Sequence, residues 1–512
     1  MAIFLAILAS VLVIFLSFYL YSWTYWLRRG IPGPLGFPIF GNLLNHFHHE
    51  EPLGLKLQEF TKKYGKVFGI TEGLRQTLVI SDVEMINEVF VKQFDNFYGR
   101  KLSPLHGDPE NDERVSIFIS QGHRWKRLRN LSSPTFSSAS LRKLLGTVED
   151  SVFQILDVLE KKGGDQIDML EIYQEFTLDV IGRIAMGQEG SKIFENPLFS
   201  PVRQIFGKGN RWLFTILSVL PKPLALMIRK RVMQPSEASK NPAVIISLVI
   251  QKAVSERIRQ RKEQGAPGEP EDFIDLFLDA QSEIDIKSEK NEEFLKANIG
   301  KIDRKLSMDE IIAQCFVFIV AGFDTTALSL AFSTWLLTRN PEKMRKAQEE
   351  IDEICTDANI SFDQIAKLKY LDNVAKEALR LYPLAGLAVS RKCMKSTEVC
   401  GIRIEKDTNI QVDTWSVHYD KQIWGEDSNE FRPERWNDQQ MKNGANYLPF
   451  GFGPRQCIGM RLAMMEEKLI LAHILRKFDF EIGSKTQIPL KLVGRATTQP
   501  ETLVLKLRKR DY

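Results

Sequence analysis

The feature that most constrains this chain is an apolar run that opens at Ser307-Met308-Asp309-Glu310 and does not end until Asn340. Ser and Glu three apart form a capping box, in which each side chain satisfies the other residue's free backbone N–H. Pro341 marks the far boundary, because the residue before a proline is pushed out of helical geometry. About 33 residues at ~1.5 Å rise make a helix on the order of 50 Å long. It is apolar on nearly every side, so it should cross the centre of a large domain. Asp324, with Thr325 and Thr326, stands in its middle and argues against a bilayer span, where a charge is costly.

A second apolar run starts the chain. Residues 1–27 carry no charged side chain, enough for one membrane-crossing helix, and Arg28 and Arg29 follow at once. The positive-inside rule then puts everything after them on the cytosolic side. Tyr19, Tyr21, Trp23, Tyr25 and Trp26 form an aromatic cluster suited to the membrane interface. A cleaved secretory signal is disfavoured: the run is too long, and it lacks a charged start and a small-residue cleavage site. Next comes Ile31-Pro32-Gly33-Pro34-Leu35-Gly36-Phe37-Pro38, a semi-rigid spacer with fixed φ at each proline. The expected division is an anchor over 1–27, a hinge over 28–42 and a body over 43–512.

Within the body helical patterns dominate. Strand-like runs stand at 66–71, 76–80, 397–404 and 409–412, and exposed connections are expected at 264–272 and 282–305. Net charge is only +4, too small to argue for nucleic acid. Five cysteines, at 315, 355, 393, 400 and 457, are odd in number and include no CxxC pair, which argues against both a disulfide framework and a zinc ribbon.

One cysteine stands out. It lies in Phe450-Gly451-Phe452-Gly453-Pro454-Arg455-Gln456-Cys457-Ile458-Gly459, just before a helical pattern. Glycines let backbone approach a flat ligand, and a helix N-terminus stabilises a thiolate. A lone thiolate suits a soft metal centre whose other ligands come from a macrocycle, and Arg455 can pair with an anionic group on it. This stretch resembles the cysteine loop of the cytochrome P-450 (haem-thiolate monooxygenase) family, F-x-x-G-x-R-x-C-x-G.

Other motifs follow in that family's order. Ala321-Gly322-Phe323-Asp324-Thr325-Thr326 is similar to its oxygen-activation motif; Gly322 weakens the helix locally, and the Thr325 hydroxyl can satisfy a freed carbonyl. Glu377-Ala378-Leu379-Arg380 resembles its E-x-x-R, a helical i, i+3 ion pair, and the loop around Arg435 resembles the supplier of a third member. Trp125-Lys126-Arg127-Leu128-Arg129 is similar to its W-x-x-x-R, whose i, i+4 pair binds a haem propionate, with Arg100 a second candidate. Some relatives carry another arginine in the stretch matching 384–390; here it reads Leu-Ala-Gly-Leu-Ala-Val-Ser, and Arg391 follows it directly.

The resemblance spans essentially the whole chain and is closest to the microsomal branch that includes drug- and steroid-metabolising enzymes. It implies a mainly α, single-domain fold with small β-sheets and an N-terminal transmembrane helix. Haem b is the implied cofactor, with Cys457 as iron ligand and Arg455, Phe450, Gly451, Trp125, Arg129 and Arg100 around it. Asp324 and Thr325 would relay protons, and Glu377, Arg380 and Arg435 would form a buried network beneath the cysteine. It also implies electrons from NADPH through a flavoprotein reductase that Lys126 and Arg127 could meet, cytochrome b5 as an accessory partner, and an endoplasmic reticulum location facing the cytosol. Apolar residues within 205–228 and 384–389 suit a membrane-dipping roof and pocket walls for apolar small molecules. The competing readings are a reductase-independent haem-thiolate isomerase or dehydratase and a non-catalytic haem or lipid binder. The intact Asp324–Thr325 pair and Cys457 weigh against them.

Overall fold

A computed structural model describes residues 1–44, 51–104, 106, 108–162, 164–207, 211–232, 241–265, 270, 272–282, 306–437, 444–494 and 496–510. Most of the expected 282–305 connection, and five residues of the one at 264–272, lie outside these.

The long apolar run forms one helix, α4 (Met308–Arg339), placed after α1 (Ala2–Trp23), α2 (Gly122–Ser132) and α3 (Met169–Met186). The expected capping box is present: Ser307 Oγ accepts the Glu310 N–H at 3.1 Å, and Glu310 accepts the Ser307 N–H at 3.2 Å. From Phe323 to Thr338 nearly every α4 side chain is buried, and α3 packs along it most extensively. The helix therefore crosses the core, with α5 (Lys369–Leu381) and α6 (Met460–Lys477) packed on it. Among the described residues α4 alone is long and apolar enough to cross a membrane, and it is mostly buried; Val13–Trp23 is a shorter apolar stretch.

The sheets are small, as expected for a mainly α fold. The largest has the order β1 (Val67–Glu72), β2 (Arg75–Ile80), β4 (Asn409–Val412), β3 (Ser390–Lys392). β2 and β4 run parallel and the outer pairs antiparallel. The expected strand at 397–404 is a hairpin, Thr397–Val399 against Ile402–Ile404. A further sheet joins Gln166–Asp168, Val504–Lys509 and Phe478–Glu481. Near the chain end Lys506, Arg508 and Arg510 are each paired with carboxylates, so this basic stretch is satisfied surface.

The expected interfacial aromatic cluster divides differently. Tyr21 is exposed, but Tyr25 and Trp26 are buried in the body. Trp26 donates to the Ile70 carbonyl at 3.0 Å, and a Cβ at Gly69 would meet its ring at 2.1 Å, so glycine is required beneath the indole. Tyr25 donates to Glu405 at 3.2 Å, and Arg29 pairs with the same carboxylate while covering the Tyr25 ring. Both rings bury their apolar faces while the indole N–H and the phenol O–H keep hydrogen-bond partners. The proline segment is stitched down as well: Gly69 N–H donates to the Pro32 carbonyl at 2.8 Å, and Asn42 N–H to that of Thr71 at 2.6 Å. It is a docked strap along β1.

Removing the indole should therefore destabilise the body. Trp26→Ala is expected to cost about 3–5 kcal/mol, as for other buried aromatics. Ile3→Ser, on the exposed side of α1, should cost nothing measurable. Chemical denaturation of detergent-solubilised protein checks both.

Candidate active site

The cysteine loop is shaped by its backbone. Gly451 and Gly453 both take positive φ, 74° and 72°, and a Cβ at Gly453 would lie 2.3 Å from the Phe90 carbonyl. The turn closes through Cys457 N–H to Phe450 O at 2.8 Å and Gly451 N–H to Leu448 O at 3.0 Å. Cys457 thus stands just ahead of α6, as expected from the sequence. Its thiol is open rather than sealed by protein, yet burial is the largest influence on it and pushes its pKa up. Both hold when the opening leads into an interior space. The Gly459 N–H, Arg129, Arg100 and the Met460 N–H oppose that rise. The sulfur therefore sits where helix-end N–H groups and two cations favour a thiolate, while burial favours a bound cation such as a metal.

Three arginines converge beside the cysteine loop. Arg100 donates to Ala388 O at 2.8 Å and lies over the Phe118 ring. Arg455 donates to Ser120 O and lies over the Trp125 ring. Arg391 donates to Phe452 O at 2.9 Å and lies over the Phe90 ring. Each keeps a buried Nε without a partner, and Arg455 keeps Nη1 as well. Burial, then Arg100 and Arg129, pull the Arg455 guanidinium down to about 8. Burial likewise brings Arg100 to about 10, and burial with Arg100 and Arg455 pulls Arg391 down. Mutually repelling, desolvated guanidiniums with unpaired donors are costly unless an anion joins them. This donor set fits a macrocycle that carries carboxylates and a metal for the thiolate, so haem passes the test. Arg129, expected to bind a propionate with Trp125, spends Nη1 on Gln456 O at 2.8 Å.

The oxygen-activation motif is only partly as expected. α4 runs unbroken through it, so Gly322 produces no break. Thr325 Oγ1 does donate to the Ala321 carbonyl, at 2.7 Å. Ala321 is exposed and Gly322 and Thr325 partly open, within a stretch otherwise buried, so this strip also faces an interior space. Asp324 is fully buried and accepts from Thr497 Oγ1 at 2.6 Å and Gln174 Nε2 at 3.2 Å. The structure does not join the acid to the threonine, because adjacent helical residues point about 100° apart. Burial raises Asp324 to about 6.

The expected network is complete. Arg380 grips Glu377 with Nε at 2.9 Å and Nη2 at 2.8 Å, and Arg435 Nε joins at 3.2 Å. Trp436 Nε1 and the Arg432 N–H also donate to Glu377. The network reaches the cysteine loop through His418, whose Nδ1 donates to Arg380 O at 3.1 Å while Nε2 accepts the Leu448 N–H at 2.9 Å. The tautomer follows from that backbone donor.

A further expectation fails. Arg127 does not face outward toward a reductase; it pairs with Glu310, because a half-buried guanidinium beside a buried carboxylate is cheaper paired than solvated. Lys126 remains exposed. Arg391, Thr497 and Gln174 were not legible as site residues. The one available signal was Arg391 following the arginine-free stretch.

Residues 31–507 match the cytochrome P450 family. Among similar proteins of Caenorhabditis elegans, the cytochrome P450 relative CYP13A4 is 51% identical over 520 aligned positions, covering 100% of this chain and 99% of that protein. CYP13A5 is 51% identical over 505, covering 97% and 96%, and CYP13A10 is 50% identical over 520, covering 100% of each. The chain belongs to the cytochrome P450 family, whose members are haem-binding monooxygenases.

Two outcomes follow. Glu377→Ala strands two buried guanidiniums, at about 3–5 kcal/mol, and should yield haem-free protein; normal haem content in purified mutant would contradict this. Asp324 binds its proton more tightly folded (about 6) than at its ordinary value of 3.8, so its burial costs stability increasingly as pH rises between them. The stability of Asp324→Asn relative to wild type should therefore grow by about 2 kcal/mol from pH 4 to pH 7. Denaturation at matched pH measures it, and taking the difference cancels the titration of buried Glu466 and Glu467.

Proposed function

We propose that this chain is a haem-thiolate monooxygenase that inserts one atom of dioxygen into apolar small molecules, xenobiotic, steroid or fatty-acid-like. Electrons come from NADPH through a flavoprotein reductase, with cytochrome b5 as an accessory donor. The observation that carries the reading is the open Cys457 thiol at the head of α6, ringed by arginines with unspent donors. Bound haem supplies dioxygen activation and oxygen transfer, and thiolate ligation, in this family by name, favours O–O cleavage.

The chain's own residues do the rest. Cys457 would ligate the iron, and Arg100, Arg391, Arg455, Trp125 and Arg129 would orient the carboxylates. Thr325 presents a hydroxyl on the open strip of α4. Asp324, raised to about 6, exchanges a proton at its carboxyl near neutral pH, the range in which a general acid works best. It reaches Thr325 only by leaving Thr497 and Gln174. Substrate class rests on the resemblance and on Leu384 and Leu387, aliphatic side chains of the stretch expected to wall the pocket.

The same reading makes α1 a transmembrane anchor in the endoplasmic reticulum, with the body in the cytosol. Trp212, Ile216 and Met227 are exposed on the helices Arg211–Val219 and Lys222–Val232, and Tyr19 of α1 donates to Val219 O at 2.6 Å. That joint supports a roof and an anchor meeting one lipid surface. Lys126 is the cation left to meet an acidic reductase.

Reconstitution with reductase, NADPH, isotopically labelled dioxygen and a panel of lipophiles tests the proposal. Substrate-dependent NADPH consumption with one labelled oxygen in the product is expected. Product formed without NADPH would favour an isomerase or dehydratase, and a bound lipophile released unchanged would favour a carrier.

A further inference from the structure

Glu310 belongs to none of the motifs above beyond its capping box, yet it is buried where two helices meet. Its Oε2 takes the Ser307 N–H at 3.2 Å, closing the cap of α4. Its Oε1 takes Arg124 Nε at 3.1 Å and also Arg127 Nη2, both from α2. Arg124 continues outward to the Asp112 and Glu113 carbonyls, each at 2.8 Å. One turn further along α4, Gln314 accepts the Ile117 N–H at 2.8 Å, and Arg114 pairs with Asp309. The segment ahead of α2 and α2 itself are thus fastened to the first turns of α4. Ser120, at the end of that segment, is the residue whose carbonyl receives Arg455.

α2 has two working faces. Trp125 and Arg129, one turn apart, face the cysteine loop: the Trp125 ring lies under Arg455 and Arg129 bonds Gln456 O. Arg124 and Arg127, three apart, face α4. Rolling α2 about its axis would move both faces together. Two guanidiniums held by one carboxylate oxygen oppose that roll, since either direction lengthens one ion pair.

We propose that Glu310 is a positioning residue for the cofactor: by clasping Arg124 and Arg127 it sets the roll of α2, and so the placement of Trp125 and Arg129 against the haem carboxylates. The inference rests on the haem reading above. It extends that reading to a side chain that touches neither the cofactor nor its ligands.

The capping box supplies the separating test. Gln at the third helical position caps as Glu does, so Glu310→Gln keeps the cap and removes the clasp's charge. Ser307→Ala does the reverse. The readout is the rate of haem transfer from full-length protein to excess apomyoglobin, followed in the Soret region, with far-UV circular dichroism as the folding control. Glu310→Gln should release haem about 10-fold faster than wild type, the lower end of the range for residues that bond a metal ligand directly, because Glu310 acts one step further out. Ser307→Ala should release it at the wild-type rate while melting at lower temperature. If Glu310→Gln does not fold, Glu310→Asp carries the test, with the charge kept but set back by one methylene; faster release is expected. Wild-type release from the folded glutamine variant, or from the aspartate variant where it replaces it, overturns the inference. So does equal acceleration by Ser307→Ala, which would reduce Glu310 to a cap. A wild type that binds no haem at all overturns the underlying reading with it.

Discussion

The structure depends on one buried carboxylate. Glu377 lies in the core with two arginines upon it, and both guanidiniums are satisfied around it. Arg380 spends its other donors on the carbonyls of His418, Ser428 and Glu430, and Arg435 on those of Trp424 and Asp427 and on the Asp427 side chain. Burying three charges is costly, and the cost is tolerable because hydrogen bonds replace the lost water. What the arrangement achieves is placement. Through His418 and Leu448 it fixes the backbone from which the cysteine loop springs, and Tyr447, donating to Lys376 O at 3.0 Å, pins the same stretch to α5.

A contrast within the same molecule identifies the site. The guanidiniums around Glu377 are saturated by protein. Those of Arg100, Arg391 and Arg455 are also buried but retain unspent N–H groups and repel one another. A fold that satisfies the first set so fully has no structural reason to leave the second set short. The difference supports the proposal that an anionic ligand is held there, with its metal at the Cys457 sulfur, toward which backbone N–H groups are directed.

Much of this was legible in the sequence because it is local. The capping box at Ser307 and Glu310, the i, i+3 pair of Glu377 and Arg380, and the glycine turns before Cys457 each depend on residues a few positions apart. What stayed hidden depends on contacts between distant segments. No periodicity shows which way Asp324 points from a helix buried on nearly all sides; that follows from Thr497, far along the chain. Arg391 looked one step past the expected stretch, but strand β3 turns its side chain to Phe452 O. Arg127 read as a surface cation because Glu310 lies far along the chain from it. Trp26 read as an interfacial aromatic because nothing in its neighbourhood announces the bare backbone of Gly69.

The central claim is that Cys457 is the sulfur ligand of a bound haem. The carbon monoxide difference spectrum of the dithionite-reduced membrane fraction, wild type beside Cys457→Ala, tests it most directly. A strongly red-shifted Soret band is expected in wild type and should be absent from the mutant. A band in folded wild type at the position typical of imidazole-ligated or unligated haem would contradict it and would remove the monooxygenase reading as well.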